Sequence, residues 1–168
     1  MTKLEFIDLV RELLPQQPHR MTVEKLASIV YSDSLKLMTP SALSKYRKPY
    51  TVDITANVGT IPVPYIPVDV LIPSDDLMYV PVGLEEMNYL AVIDDIDTTI
   101  SYCVSGNTMQ FANLPDSITQ VTVSLVPSLE ALSDLDQVDI TTEQIVAVLK
   151  LISPQPEKYT NDRNLNNL

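Results

Sequence analysis

The side chains able to do chemistry are few and scattered. The one histidine, His19, sits beside Pro18 in a turn, with no second acid or base spaced to work with it. A zinc site needs several Cys or His ligands, and one Cys with one His far apart do not supply it. Carboxylates cluster twice, as Asp94-Asp95-Ile96-Asp97 and as Asp134, Asp136 and Asp139. The second cluster is spaced like the start of a calcium loop. Such a loop would want Gly at 139 and Glu at 145, where Asp139 and Ile145 stand. These acids therefore read as a solvated loop leading to a helix N-terminus, where negative charge suits the dipole, and a surface cation there is left open. Paired carboxylates also serve glycosidases, but the chain has no Trp for a sugar-binding cleft. No GxSxG element is present, and three glycines, at 59, 83 and 106, cannot build a phosphate-cradling loop. The expectation is a non-enzyme, with no catalytic residue, cofactor or metal.

Charge is more informative than any motif. The 168 residues carry a net charge of −11, unevenly spread. Residues 1–48 hold eight Lys/Arg against five Asp/Glu, whereas residues 49–149 hold fifteen Asp/Glu and no base. A stretch of that length without a cation cannot grip phosphates, so nucleic-acid binding by the body is excluded. No segment reaches the ~18 apolar residues of a membrane span. The N-terminus MTKLEFIDLVRELL mixes acids and bases, unlike a signal peptide. These readings lead us to expect a soluble chain made inside a cell, in a reducing compartment as the single Cys suggests.

Periodicity gives the elements. Thr2-Lys3-Leu4-Glu5 fits a capping box ahead of Phe6, Ile7, Val10, Leu13 and Leu14, a first helix ending before Pro15. Residues 22–38 repeat the pattern with Val23, Leu26, Ile29, Val30 and Leu37, ended by Thr39-Pro40. Residues 41–49 read as a small basic connector. From 50 the period becomes two, predicting strands at 50–56, 99–104, 108–112 and 119–126. Within IPVPYIPVDVLIP, prolines 62, 64, 67 and 73 cannot donate to a ladder, so this is an edge strand or an arm laid along a sheet. Residues 74–97 stay ambiguous between strand, short helix and loop. Thr141-Thr142-Glu143-Gln144 caps a closing helix over 142–153.

The best-specified element is a hairpin near 102–112. With Gly106-Asn107 as a type II′ turn, the register pairs Ser105 with Thr108, Val104 with Met109, Cys103 with Gln110 and Tyr102 with Phe111. Apolar pairs then fall on one face, and Cys103 lies on the polar one as a small filler.

The order of parts resembles that of head–tail adaptor, or ring, proteins in the neck of tailed bacteriophages, of short-tailed or crAss-like type. The residues that carry the resemblance are the hairpin Tyr102, Val104, Gly106, Asn107, Phe111 and Pro115, the Val126-Pro127 step, the acidic connector, the capped helix and Asn161-Asp162. The resemblance implies a virion structural protein assembled in the bacterial cytoplasm. It further implies a homo-oligomeric ring, a dodecamer, between portal and tail or neck proteins, with genome DNA passing the lumen unbound and no membrane involved.

The expected fold is α+β. Within one compact domain overall, an N-terminal helical segment (1–48) leads to an antiparallel, sandwich-like β domain carrying the closing helix (49–153), followed by an extended C-terminal arm (154–168). Candidate interface residues are Pro62, Pro64, Tyr65 and Pro67 in the first arm and Tyr159, Asn161, Asp162 and Arg163 in the second, available for strand addition or for lying in a neighbour's groove. A recognition module of β-sandwich type, as in an adhesin or a tail accessory domain, is the alternative. A hydrolase using Asp94, Asp95 and Asp97 is a third reading.

Overall fold

The computed structural model describes residues 1–14, 21–73, 76–92 and 99–152. His19, the Asp94–Asp97 cluster, Tyr159, Asn161, Asp162 and Arg163 lie outside them. The fold class is α+β, and the chain divides into two compact units.

The first unit joins Met1–Met38 to the residues from Leu132 onward. It holds α1 (Lys3–Leu13) and α2 (Val23–Lys36), with the last helix of the chain, Thr142–Ile152. The capping box at α1 is formed: Thr2 N–H donates to Glu5 Oε2 at 2.7 Å, and Glu5 N–H to Thr2 Oγ1 at 3.3 Å. Those two bonds hold the Glu5 carboxyl below its ordinary value. The closing helix has the same device, with Thr141 N–H on Gln144 Oε1 and Gln144 N–H on Thr141 Oγ1. Phe6 and Tyr31 meet edge to face at 6.1 Å, both fully buried. The acidic connector has a plain structural use. Met1 and Val138 exchange main-chain bonds, Lys3 N–H donates to Asp136 O, and Lys3 Nζ reaches Leu132 O at 2.8 Å, with Asp134 3.6 Å away.

The closing helix was expected to belong with the strands. It groups instead with α1 and α2, because Ile145, Val148 and Leu149 form one buried stripe that suits a helix–helix contact.

The second unit, Thr39–Ala131, holds the sheet. The basic connector begins with a short helix, α3 (Pro40–Leu43), capped by Thr39 Oγ1, and a 3₁₀ turn over Ser44–Tyr46. The strands are β1 (Lys48–Thr55), β2 (Val58–Thr60), β3 (Tyr79–Pro81), β4 (Ile100–Ser105), β5 (Thr108–Ala112) and β6 (Gln120–Leu125), with α4 (Leu84–Leu90) between β3 and β4. With these labels the closing helix is α5. All six strands join one sheet in the order β3-β4-β5-β2-β1-β6, rather than two facing sheets.

Strand β1 is shared: its residues 48–53 pair with β6 and Ile54-Thr55 pair with β2. The sheet curls around a core that includes Val52, Met109, Phe111, Val121, Val123 and Leu125. The sheet is not purely antiparallel either. β3 runs parallel to β4, as a strand–helix–strand connection brings about.

The hairpin has the predicted register at every pair. Gly106 has φ +58° and no positive φ occurs at Asn107, as a type II′ turn requires. The placing of Cys103 on a polar face is corrected. Helix α4 covers that side of β4, and Cys103 is buried with Met87 and Ala112.

Candidate functional site

The proline-rich segment lies along the edge of the chain's own sheet, as the distribution of prolines predicts. Leu71 and Ser124 exchange both main-chain bonds, at 2.9 and 2.6 Å. Ile66 N–H donates to Val126 O and Ser128 N–H to Pro64 O. Pro62, Pro64 and Pro67 face solvent, and Tyr65 is half-buried. A ring nitrogen carries no hydrogen, so the arm meets the sheet in isolated bridges, Tyr65 with Pro127 and Leu71 with Ser124, and not in a continuous ladder.

Arg47 fixes the arm to the end of β6. Its Nη1 donates to Asp69 O at 2.5 Å and to Ser124 O at 3.1 Å. With Lys45 and Lys48 it makes up all the bases between residues 39 and 131. The sequence marks this connector as basic, but nothing in its spacing shows that one guanidinium would clasp two carbonyls.

Two tyrosines tie the arm to the hairpin from the other side. Tyr65 OH donates to Gly106 O, and the buried Tyr102 OH donates to Val70 O at 2.9 Å. Burial raises the Tyr102 hydroxyl above its ordinary value; the Asp69 charge adds to this and Arg47 opposes it. Burial likewise raises Tyr65 and Tyr79. At neutral pH these groups are therefore protonated, and Tyr65 and Tyr102 use their protons to hold carbonyls.

Between arm and hairpin runs an open groove of about 520 Å³, lined by Tyr65, Val70, Pro81, Tyr102, Val104 and Gly106 among others. Ser105 and Thr108 flank a two-residue turn, so alternation leaves the main-chain groups of Tyr102 and Val104 pointing away from β5. Tyr102 O is taken by Val82 N–H at 2.9 Å. The chain then leaves the sheet to enter α4, so among the described residues Val104 has β5 on one side and no strand on the other. The groove thus offers one rung of backbone left unpaired among the described residues, between mainly apolar walls that also hold Asp69.

The structure brings Tyr65, Pro67 and Gly106 to one groove, while Pro62 and Pro64 lie farther along the arm and do not line it. Sequence reasoning missed Arg47, Val82 and the edge at Val104. The last two depend on where β3 stops, and the ambiguous stretch 74–97 hid that. Among the described residues no group of three or more His, Cys, Asp or Glu is placed to hold a metal ion. No protein-family model matches the chain, and no curated protein matches it.

Proposed function

We propose that this chain is a non-enzymatic structural subunit that assembles with its own copies into a ring at the head–tail junction of a tailed bacteriophage, between portal and tail proteins. One observation carries the assembly part of this reading: the unpaired rung at Val104, set in a groove with apolar walls, is shaped to receive an extended segment by strand addition. An unequal pair of sheet edges, β6 with the arm along it and β3 at the other end, suits head-to-tail association, which closes into a ring when the rotation between subunits divides a full turn. The position in a phage neck rests on the order of parts along the sequence. Fifteen acids and no base over residues 49–149 fit a body past which DNA moves without adhering, since repulsion acts over a screening length of about 8 Å at physiological salt.

Light scattering on the purified chain, alone and mixed with a candidate portal, tests the reading. The expected result is a closed multimer of the 18.7 kDa subunit in at least the mixed sample. A monomer under both conditions would refute it. Removing residues 154–168 is expected to leave a folded chain that no longer assembles.

A further inference from the structure

A second hollow, of about 400 Å³, lies between α4 and the strand pair β2–β5, on the side of the sheet away from the core. Four side-chain amides line it: Asn57, Asn88, Gln110 and Asn113. Its apolar lining includes Met87 and Ala112, and no charged residue lines it among those described. We propose that this hollow binds the main chain of an uncharged, extended segment from a partner protein.

The backbone accounts for two of the four amides. Asn57 and Asn113 have φ of +62° and +60°, which asparagine tolerates better than most residues. It does not account for the other two. Asn88 lies within α4, where asparagine is among the weaker helix formers. Gln110 is half-buried in mid-strand between Cys103 and Val58, where a β-branched residue would serve the sheet better. Asn113 Nδ2 donates to Thr99 O at 3.2 Å. Asn57 and Asn88 are exposed and Gln110 is half-buried, and among the described residues none of the three amides has a hydrogen-bond partner in the protein, so a ligand there would displace only water.

The chemistry of the lining selects the ligand. A carboxamide presents one acceptor and two donors side by side, matching the N–H and C=O of a peptide group without needing charge. An anion would call for Arg or Lys, and a hard cation for carboxylates. A sugar ring would call for an aromatic face. The one aromatic residue at the site, Phe111, has its ring in the core beside Tyr79 and Tyr102. In a chain of net charge −11, a neutral site also frees the partner segment from having to be basic. The proposal does not depend on ring formation.

The test is a titration of the full chain, followed by ¹H–¹⁵N spectra of the side-chain NH₂ groups. The probes are a tetra-alanine peptide blocked at both ends and, separately, N-acetylglucosamine. The peptide should shift Asn57, Asn88 and Gln110 saturably at millimolar concentration. Asn88→Ala combined with Gln110→Val should weaken that binding at least tenfold. Both changes raise local propensity, so weaker binding would not reflect a lost fold, and the backbone spectrum checks this directly. Shifts with the sugar in place of the peptide, equal affinity in the double variant, or no shift with either probe would each overturn the proposal.

Discussion

The sheet contains two tight hairpins built on opposite principles. In β4–β5 the turn is Gly106-Asn107, and glycine takes the left-handed position without strain. In β1–β2 the turn is Ala56-Asn57, with φ of +52° and +62°, so both central residues are left-handed as in a type I′ turn and an alanine occupies one of them. That conformation costs an L-residue about 1–2 kcal/mol. The first hairpin is specified by its own turn. The second is held by its neighbours: β2 lies between β1 and β5, and Asn57 O accepts Phe111 N–H at 2.9 Å. Local chemistry and tertiary enclosure are alternative ways to fix a strand register.

Two glycines mark the same divide, and the largest expected effect comes from the enclosed one. A Cβ at Gly59 would lie 2.5 Å from Val52 Cγ1 and 2.7 Å from Ile54 Cδ1. Gly59→Ala should therefore cost about 1–3 kcal/mol by overpacking, read from urea unfolding. An unchanged midpoint would mean that β2 is not wedged as described.

Next comes the tie that only the β4–β5 hairpin has. Tyr102→Phe leaves Val70 O buried without its donor and should cost about 1–2 kcal/mol. Burial of the tyrosine hydroxyls predicts a pH dependence. Folded Tyr102, Tyr65 and Tyr79 hold their protons more tightly than unfolded tyrosine does. Their contribution is therefore complete below the ordinary tyrosine value of about 10 and falls away as pH rises from there through the raised values. Melting temperatures between pH 9 and 11 should drop for the wild type and drop less for Tyr102→Phe. Parallel curves would mean that burial does not hold the Tyr102 proton.

A smaller loss, about 1 kcal/mol, is expected for Gly106→Ala. No atom lies within 4 Å of the added Cβ, so the cost is backbone strain alone. The smallest effect has the opposite sign. Ala56→Asn should stabilise by roughly 0.5 kcal/mol, because asparagine tolerates the left-handed region better than alanine does. Destabilisation by this change would show that the β1–β2 turn has a use for its methyl group.

The difference between these hairpins also explains what could be read in advance. GN at 106–107, between alternating apolar residues, is a strong local signal, and all the β4–β5 pairs follow from it. Thr2 and Thr141, each followed three residues later by Glu or Gln, fix two helix starts for the same reason. The AN turn carries no such signal, and Gly59 resembles a loop residue until Val52 and Ile54 are seen against it, so β2 went unread. At the groove, the prolines foretold an arm lying on a sheet, but not which edge would hold it. The clasp by Arg47 and the hydroxyl bonds of Tyr65 and Tyr102 link residues 22 to 77 positions apart, a range at which spacing carries no information.

By itself, the sequence determined everything that one turn of chain can enforce: the helix caps, the Gly106-Asn107 turn with its register, the proline-rich segment's lying along a sheet edge, and a long stretch without a cation. Tertiary structure decided the rest. It placed α5 with the N-terminal helices, ran β3 parallel to β4, buried Cys103 under α4, and, among the described residues, left Val104 with a strand on one side only. The physical reason is range. Caps and turns are settled by bonds among neighbouring residues, whereas burial and the pairing of strand edges depend on which distant apolar surfaces meet.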